Sequence, residues 1–277
     1  GPTFASAFTL NPDGTFSYTH DGSENFIDSF TYIVSDANGG VTDTGTVSIS
    51  ITPVNDNDPV ANDDSITVAE GGTATLLDST ATSVLANDTD TDLPNDSLTV
   101  AVGTGPTFAS GFTLNTDGTF SYTHDGSENF TDSFTYVVSD ANGGVTDTGT
   151  VSITITPVND NDPVANDDSI TVAEGGTVPV LDSAAASGLA NDTDADLPND
   201  SLTVSVGAGP THASGFTLNP DGTFSYTHDG SENFTDSFTY IVSDANGGVT
   251  DTGTVSITIT PINDNDPVAN DDSITVA

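Results

Sequence analysis

One twelve-residue segment sets the frame of this chain. Pro53-Val54-Asn55-Asp56-Asn57-Asp58-Pro59-Val60-Ala61-Asn62-Asp63-Asp64 recurs from Pro157 to Asp168, and again from Pro261 to Asp272 with Ile262 in place of a valine. Proline fixes φ and removes a backbone donor, so each copy is expected to run extended and to interrupt any sheet. Between two interruptions the chain must complete a fold of its own. The period is 104 residues, since Gly1-Pro2-Thr3 returns at Gly105-Pro106-Thr107 and at Gly209-Pro210-Thr211. A period this long means one domain per repeat, not one turn of a solenoid.

With the linkers closing each unit, four segments follow: 1–57, the C-terminal part of a repeat; 58–161 and 162–265, two complete repeats; and 266–277, the first strand of another. From residue 105 to 161 the middle copy differs from the third at four positions: Phe108/His212, Thr116/Pro220, Val137/Ile241 and Val158/Ile262. With copies this alike, agreement between them cannot single out functional residues.

Within 58–161 the pattern is that of strands. Ser65–Ala69 alternates, Glu70-Gly71-Gly72 turns, and Thr73–Leu77 reads as a second strand. Residues 78–85 fit either a short helical turn or an irregular crossing, and the turn formers from Asn87 to Asp96 make a loop. Leu98–Val102 is a strand, and Asp117-Gly118 between Phe112–Leu114 and Thr119–Thr123 marks a β-hairpin. Ser133–Ser139 puts Phe134, Tyr136 and Val138 on one face, and Thr148–Thr156 puts Val151, Ile153 and Ile155 inward. Some seven strands with no helical periodicity predict an all-β antiparallel sandwich, with Phe112, Phe120, Tyr122, Phe130, Phe134 and Tyr136 in its core.

Charge narrows the function. Among 277 residues there is no Lys or Arg, and the formal net charge is -42. Small soluble domains typically carry a net charge of magnitude about 2–8. No Lys or Arg is present to meet phosphate, so nucleic acid is not expected as a partner and an anionic membrane surface is disfavoured. Salt bridges could involve only the four histidines. The carboxylates must be solvated, protonated or neutralised by bound cations. Carboxylates, amide oxygens and carbonyls crowded into the linkers are the hard ligands calcium prefers, so each linker is expected to be stiffened by bound metal.

Fourteen Phe, six Tyr and regular Val/Ile alternation argue against disorder. There is no Cys, so no disulfide. No stretch reaches transmembrane length, and no signal peptide is visible within these residues. The sequence suggests no histidine-centred triad, phosphate loop or zinc spacing, so no enzymatic activity is expected. His20, His124 and His228 are one position seen three times and read as structural or exposed imidazoles, and His212 as a tolerated surface change.

The run Val138-Ser139-Asp140-Ala141-Asn142-Gly143-Gly144, then Thr150–Ile155, then Asn159-Asp160-Asn161-Asp162-Pro163, resembles the last two strands and linker of a cadherin repeat. The bacterial cadherin-like and VCBS-type repeats of giant surface adhesins look closer still. The resemblance covers each full repeat and implies a cadherin-like or Ig-like Greek-key sandwich. It also implies calcium ligands. For the 58–161/162–265 junction these are Glu70, Asp125, Glu128, Asn159, Asp160, Asn161, Asp192, Asp194 and Asp244. For the preceding junction they are Asp21, Glu24, Asn55, Asp56, Asn57, Asp88, Asp90 and Asp140. Glu174, Asp229, Glu232, Asn263, Asp264 and Asn265 would serve the following one. Asp92 and Asp96 are candidates for a separate site inside the domain.

Two departures from the family pattern stand out. Pro53, Pro157 and Pro261 occupy the place where its linker opens with aspartate, and the Asp125–Glu128 spacing is one residue longer. Two or three calcium ions per junction are expected. The implied role is that of extender repeats in a large secreted bacterial surface adhesin, projecting a distal binding domain and supporting adhesion or biofilm. The alternatives are a calcium-dependent module for polysaccharide or homophilic cell–cell binding, and a self-assembling surface filament. The partners would be neighbouring repeats, identical chains or polysaccharide.

Overall fold

The structure is a computed structural model that describes residues 1–141, 145–245 and 247–276. The chain divides at Thr156/Pro157 into two units, each described by itself.

The first unit opens with two antiparallel pairs. Strands β1 (Ala5–Leu10) and β2 (Phe16–His20) form one, β3 (Ile27–Val34) and β4 (Asp43–Ser50) the other. A complete sandwich follows, built from β5 (Asp64–Ala69), β6 (Thr73–Ala74), β7 (Thr99–Val102), β8 (Ala109–Leu114), β9 (Phe120–His124), β10 (Thr131–Ser139) and β11 (Asp147–Thr156). One sheet has the order β5-β11-β10-β7 and the other β6-β9-β8. Strand alternation decides which side chains face inward. Ile66, Val68, Val100, Phe120, Tyr122, Phe134, Tyr136, Val138, Val151, Ile153 and Ile155 fill the space between the sheets. Phe112 and Phe130 are only partly buried against them.

The second unit repeats this with β12 (Asp168–Ala173), β13 (Thr177–Val178), β14 (Thr203–Val206), β15 (Ala213–Leu218), β16 (Phe224–His228), β17 (Thr235–Ser243) and β18 (Asp251–Thr260). Its sheets, β12-β18-β17-β14 and β13-β16-β15, match the first sandwich strand for strand.

Three details differ from the strand pattern read in the sequence. The opening strand β5 pairs parallel to β11, with Ile66 opposite Ile153, so the sandwich is not wholly antiparallel. The second strand stops at Ala74, after which Leu77 turns into the core. Residues 78–85 end in a 3₁₀ turn, Val84–Ala86, capped by the Ser83 hydroxyl, which accepts from the Leu85 N–H at 3.1 Å.

Residues 1–52 hold the counterparts of β8–β11 alone. Phe16 is consequently 50% exposed, where its equivalent Phe120 is 5% exposed in a core cluster that also contains Val84 and Leu77. Residues 266–276 match 58–68 in sequence but form no strand. Strand β5 exists through its ladder to β11, and 266–276 have no such partner among the described residues.

Candidate metal centres

Carboxylates gather at the ends of the sandwiches. In the first unit Glu24, Asp56 and Asp92 each offer an oxygen within 4.8 Å of the others'. Asp92 is the anchor and is 2% exposed. Its Oδ2 accepts from the Asp56 N–H at 3.0 Å and the Asn57 N–H at 2.8 Å, and its Oδ1 from the Asn57 amide at 3.1 Å. The same amide reaches Asp56 Oδ1 and Glu24 Oε1. The Asn57 N–H donating into it, against the opposing effect of burial, holds the Asp92 carboxyl below the usual carboxylate range. The linker is thus clamped by its own backbone donors to an ionised aspartate of the following sandwich.

A second triad joins Asp90, Asp96 and Asp140, again within 4.8 Å. The chain leaves the Val60–Thr89 bridge, turns through residues 90–95 and brings Asp96 back towards Asp90. Asp90 Oδ1 accepts from the Asp92 N–H at 2.8 Å. Asp90 Oδ2 and Asp96 Oδ2 are shielded from solvent and receive no hydrogen bond from the described residues. Asp140 closes the group from the end of β10.

The opposite end of a sandwich carries glutamates. Glu70 directly follows β5, Glu128 follows β9, and their oxygens lie within 4.8 Å of each other. In the second unit the equivalent Glu174 and Glu232 converge with Asp264 of the outgoing linker. Glu174 Oε2 accepts from the Ile262 N–H at 3.0 Å, and the Asn265 amide donates to Glu232. That unit also repeats the aspartate arrangements. Asp196 takes the N–H groups of Asp160 and Asn161 at 3.1 and 2.8 Å, and Asp194, Asp200 and Asp244 form a triad.

Not every residue singled out in the sequence joins a triad. Asp21, Asp125 and Asp229 form local turns instead. Asp125 Oδ1, for example, accepts from the Ser127 hydroxyl at 2.6 Å and N–H at 3.0 Å, which lowers its pKa. Asn55 and Asn159 bury their Oδ1 atoms, and Asn263 is exposed.

Asp88 lies apart from the triads, inside the sandwich and 8% exposed. Its Oδ1 accepts from the Asn62 N–H at 2.7 Å and the Tyr136 hydroxyl at 3.1 Å. Tyr136 also stands 3.5 Å from Asp64. Burial, then the neighbouring Asp88 charge, pushes the Asp64 carboxyl up to about 6, and burial raises Asp88 as well. Asp192 and Tyr240 repeat the contact. The aspartate pair that meets the triads is therefore Asp90 and Asp92, two residues further along than the pair Asp88 and Asp90. Asp92 and Asp96 do not share a site of their own, since each joins a different triad. The run Asp88-Thr89-Asp90-Thr91-Asp92 offers two registers, and only the distant partners Asn62 and Tyr136 decide between them.

These groups suit a hard divalent cation. They present oxygen alone, include buried carboxylate oxygens with no donor, and belong to a chain without Lys or Arg. Calcium takes six to eight oxygens in irregular geometry, from carboxylates, amide oxygens and carbonyls.

Residues 55–157 and 159–261 each match the model of the bacterial cadherin-like domain, and residues 3–50 match that of a bacterial Ig domain. Similar solved structures include mouse protocadherin-24 EC1-3 (TM-score 0.52, 18% identity, 94% of this chain and 89% of that one). Mouse cadherin-23 EC22-24 gives 0.55, 20%, 90% and 80%. The protocadherin gammaB4 extracellular domain gives 0.56, 18%, 95% and 43%. At these identities the likeness is one of fold. The fold is an adhesion-related, extracellular-type one, not a catalytic one. No described helix is long and apolar enough to cross a membrane.

Proposed function

Since the chain belongs to the bacterial cadherin-like domain family, we propose that it is a stretch of calcium-stiffened extender repeats from a large secreted bacterial surface adhesin. The domains are taken as 58–161 and 162–265, with 1–57 the later part of a repeat and 266–277 the sequence counterpart of the next repeat's opening strand. Each linker would hold two or three calcium ions, and the ordered array would carry a distal binding domain away from the cell.

The observation that carries this reading is the placing of the acids. Among the described residues, oxygen triads stand at the sandwich ends, where the linkers enter and leave, and not across the sheet faces. Glu24, Asp56 and Asp92 would hold one ion; Asp90, Asp96 and Asp140 would hold another. Glu174, Glu232 and Asp264 would hold the outgoing one. When bound, calcium supplies the positive charge these oxygens lack. The residues do the positioning: Asp92 fixes the linker backbone, and Asn57 spans Asp92, Asp56 and Glu24. Without the ion, repulsion among the carboxylates favours a looser linker.

Small-angle scattering of the chain in millimolar calcium and in chelator tests this. A longer maximum dimension with calcium, returning to a compact and heterogeneous distribution with chelator, is the expected result. Identical profiles in both buffers would remove the stiffening role.

A further inference from the structure

His124 lies in the interior, 1% exposed, at the end of β9. Its backbone N–H donates to the Gly72 carbonyl at 3.0 Å. Its ring does something less ordinary. Nδ1 accepts from the Gly71 N–H at 3.2 Å and from the Gly126 N–H at 3.3 Å. Gly71 directly follows Glu70, and Gly126 directly follows Asp125 and stands two residues before Glu128. Both glycines sit in the left-handed region, at φ of +63° and +81°, which glycine adopts without strain. With Nδ1 accepting, the ring proton resides on Nε2. Nε2 is buried, has no hydrogen-bond partner, and lies 3.7 Å from Asp125 Oδ1.

A residue needed only to fill space would not bring an unsatisfied N–H into the interior. What the imidazole gains is at Nδ1, where one acceptor ties two loops that come from different parts of the chain. The second unit repeats the arrangement, with His228 Nδ1 accepting from Gly175 at 3.2 Å and Gly230 at 3.3 Å. The first 52 residues lack the Glu70-type loop. There His20 accepts from Gly22 alone, at 3.4 Å, and its ring is partly exposed.

We propose that His124, and His228 in the next repeat, is a positioning residue that sets the distance between the paired glutamates Glu70 and Glu128 by holding Gly71 and Gly126 on one ring nitrogen. This rests on the calcium reading above. The histidine touches no ion and acts through the two glutamate-bearing loops.

The test compares His124→Leu, which removes the acceptor, with His124→Asn, whose Oδ1 can stand near the Nδ1 position. Calcium titration calorimetry on the full chain is the main readout, and amide exchange of Gly71 and Gly126 in chelator is the second. His124→Leu should weaken one class of calcium site by about tenfold to a hundredfold, the usual effect of losing a group that orients metal ligands. It should also speed exchange at both glycines, and His124→Asn should recover most of both effects. Wild-type calcium affinity in His124→Leu, or no recovery in His124→Asn with its sandwich folded, overturns the proposal. Should His124→Leu fail to fold, a His124→Asn chain with unprotected Gly71 and Gly126 amides overturns it equally. An unsubstituted chain that takes up no calcium overturns the calcium reading itself, a different result from a substituted chain that binds as well as the original.

Discussion

Replacing Asp92 by asparagine separates a metal ligand from a structural clamp. The substitution keeps an oxygen that can accept from the Asp56 and Asn57 N–H groups, but it removes the charge from the Glu24–Asp56–Asp92 triad. In chelator two effects oppose. Hydrogen bonds to a neutral acceptor are weaker, and repulsion among the three carboxylates is relieved. The net change is expected to stay within about 1 kcal/mol. Calcium changes the comparison. With a dissociation constant of about 10⁻⁴–10⁻³ M, typical of extracellular modules, roughly 10 mM calcium stabilises by about 1.4–2.7 kcal/mol per site. For a domain of this size that is a rise of roughly 6–20 °C in melting temperature. The original chain should show the full increment, and Asp92→Asn should lose one site's share, with calorimetric stoichiometry falling to match. Asp88→Asn is the critical comparison, because Asp88 lies inside the sandwich on Tyr136 and Asn62. It should keep the whole increment. If Asp88→Asn loses it while Asp92→Asn keeps it, the register assigned to this aspartate run is wrong.

The remaining predictions concern protons and proteolysis. Asp64 and Asp168 have folded pKa values of about 6 against an ordinary 3.8, so their protonated forms stabilise the fold. That contribution is complete below about pH 3.8 and is lost as pH rises through 6. In chelator, denaturation midpoints should therefore favour pH 5 over pH 7, by about 1 kcal/mol per domain after allowing for solvent screening. Asp64→Asn should flatten the slope in its own domain, and an unchanged slope would refute the assignment. The five glutamates of the chain, Glu24, Glu70, Glu128, Glu174 and Glu232, all stand at candidate ion sites. A glutamate-specific serine protease should consequently cut slowly in calcium and quickly in chelator, and equal rates would count against occupancy of those sites.

Much of the architecture was legible in the sequence because strand alternation is local information. Phe134, Tyr136 and Val138 read as one face, and all three are buried; Asp117-Gly118 read as a hairpin, and β8 and β9 flank it. The parallel β5–β11 pair was not legible, since nothing in Ser65–Ala69 names a partner about 87 residues away. The candidate sites divide in the same way. Glu70 and Glu128 stand out because glutamate is scarce, and the linker acids because oxygen ligands crowd between two prolines. The split of Asp88, Asp90 and Asp92 between a tyrosine network and two triads depends on Asn62, Tyr136 and Asp140, none of which is a sequence neighbour. His124 gave no signal of its role, because its partners are the backbone N–H groups of two glycines.

A buried carboxylate needs a proton, a donor or a cation to be tolerable, and this chain has no cationic side chain beyond histidine to offer. Its buried acids therefore sort by which remedy they receive. Asp28 is opposed by burial, yet the N–H groups of Thr3, Phe4 and Ser29 hold its pKa below the ordinary value, so it needs no ion. Asp92 receives three donors from the linker and keeps its charge. Asp64, only partly buried, takes the proton instead, its carboxyl pushed up to about 6 by burial and the neighbouring Asp88 charge. At Asp90 and Asp96 an oxygen on each is closed to solvent, without a donor, and near a third carboxylate at Asp140. Protonating one of three would leave two charges within 4.8 Å of each other. A divalent ion neutralises two at once and accepts the remaining oxygens as ligands. With no Lys or Arg, ion pairs in this chain are limited to histidine–aspartate contacts, and a divalent cation is the remedy that fits the three carboxylates of Asp90, Asp96 and Asp140.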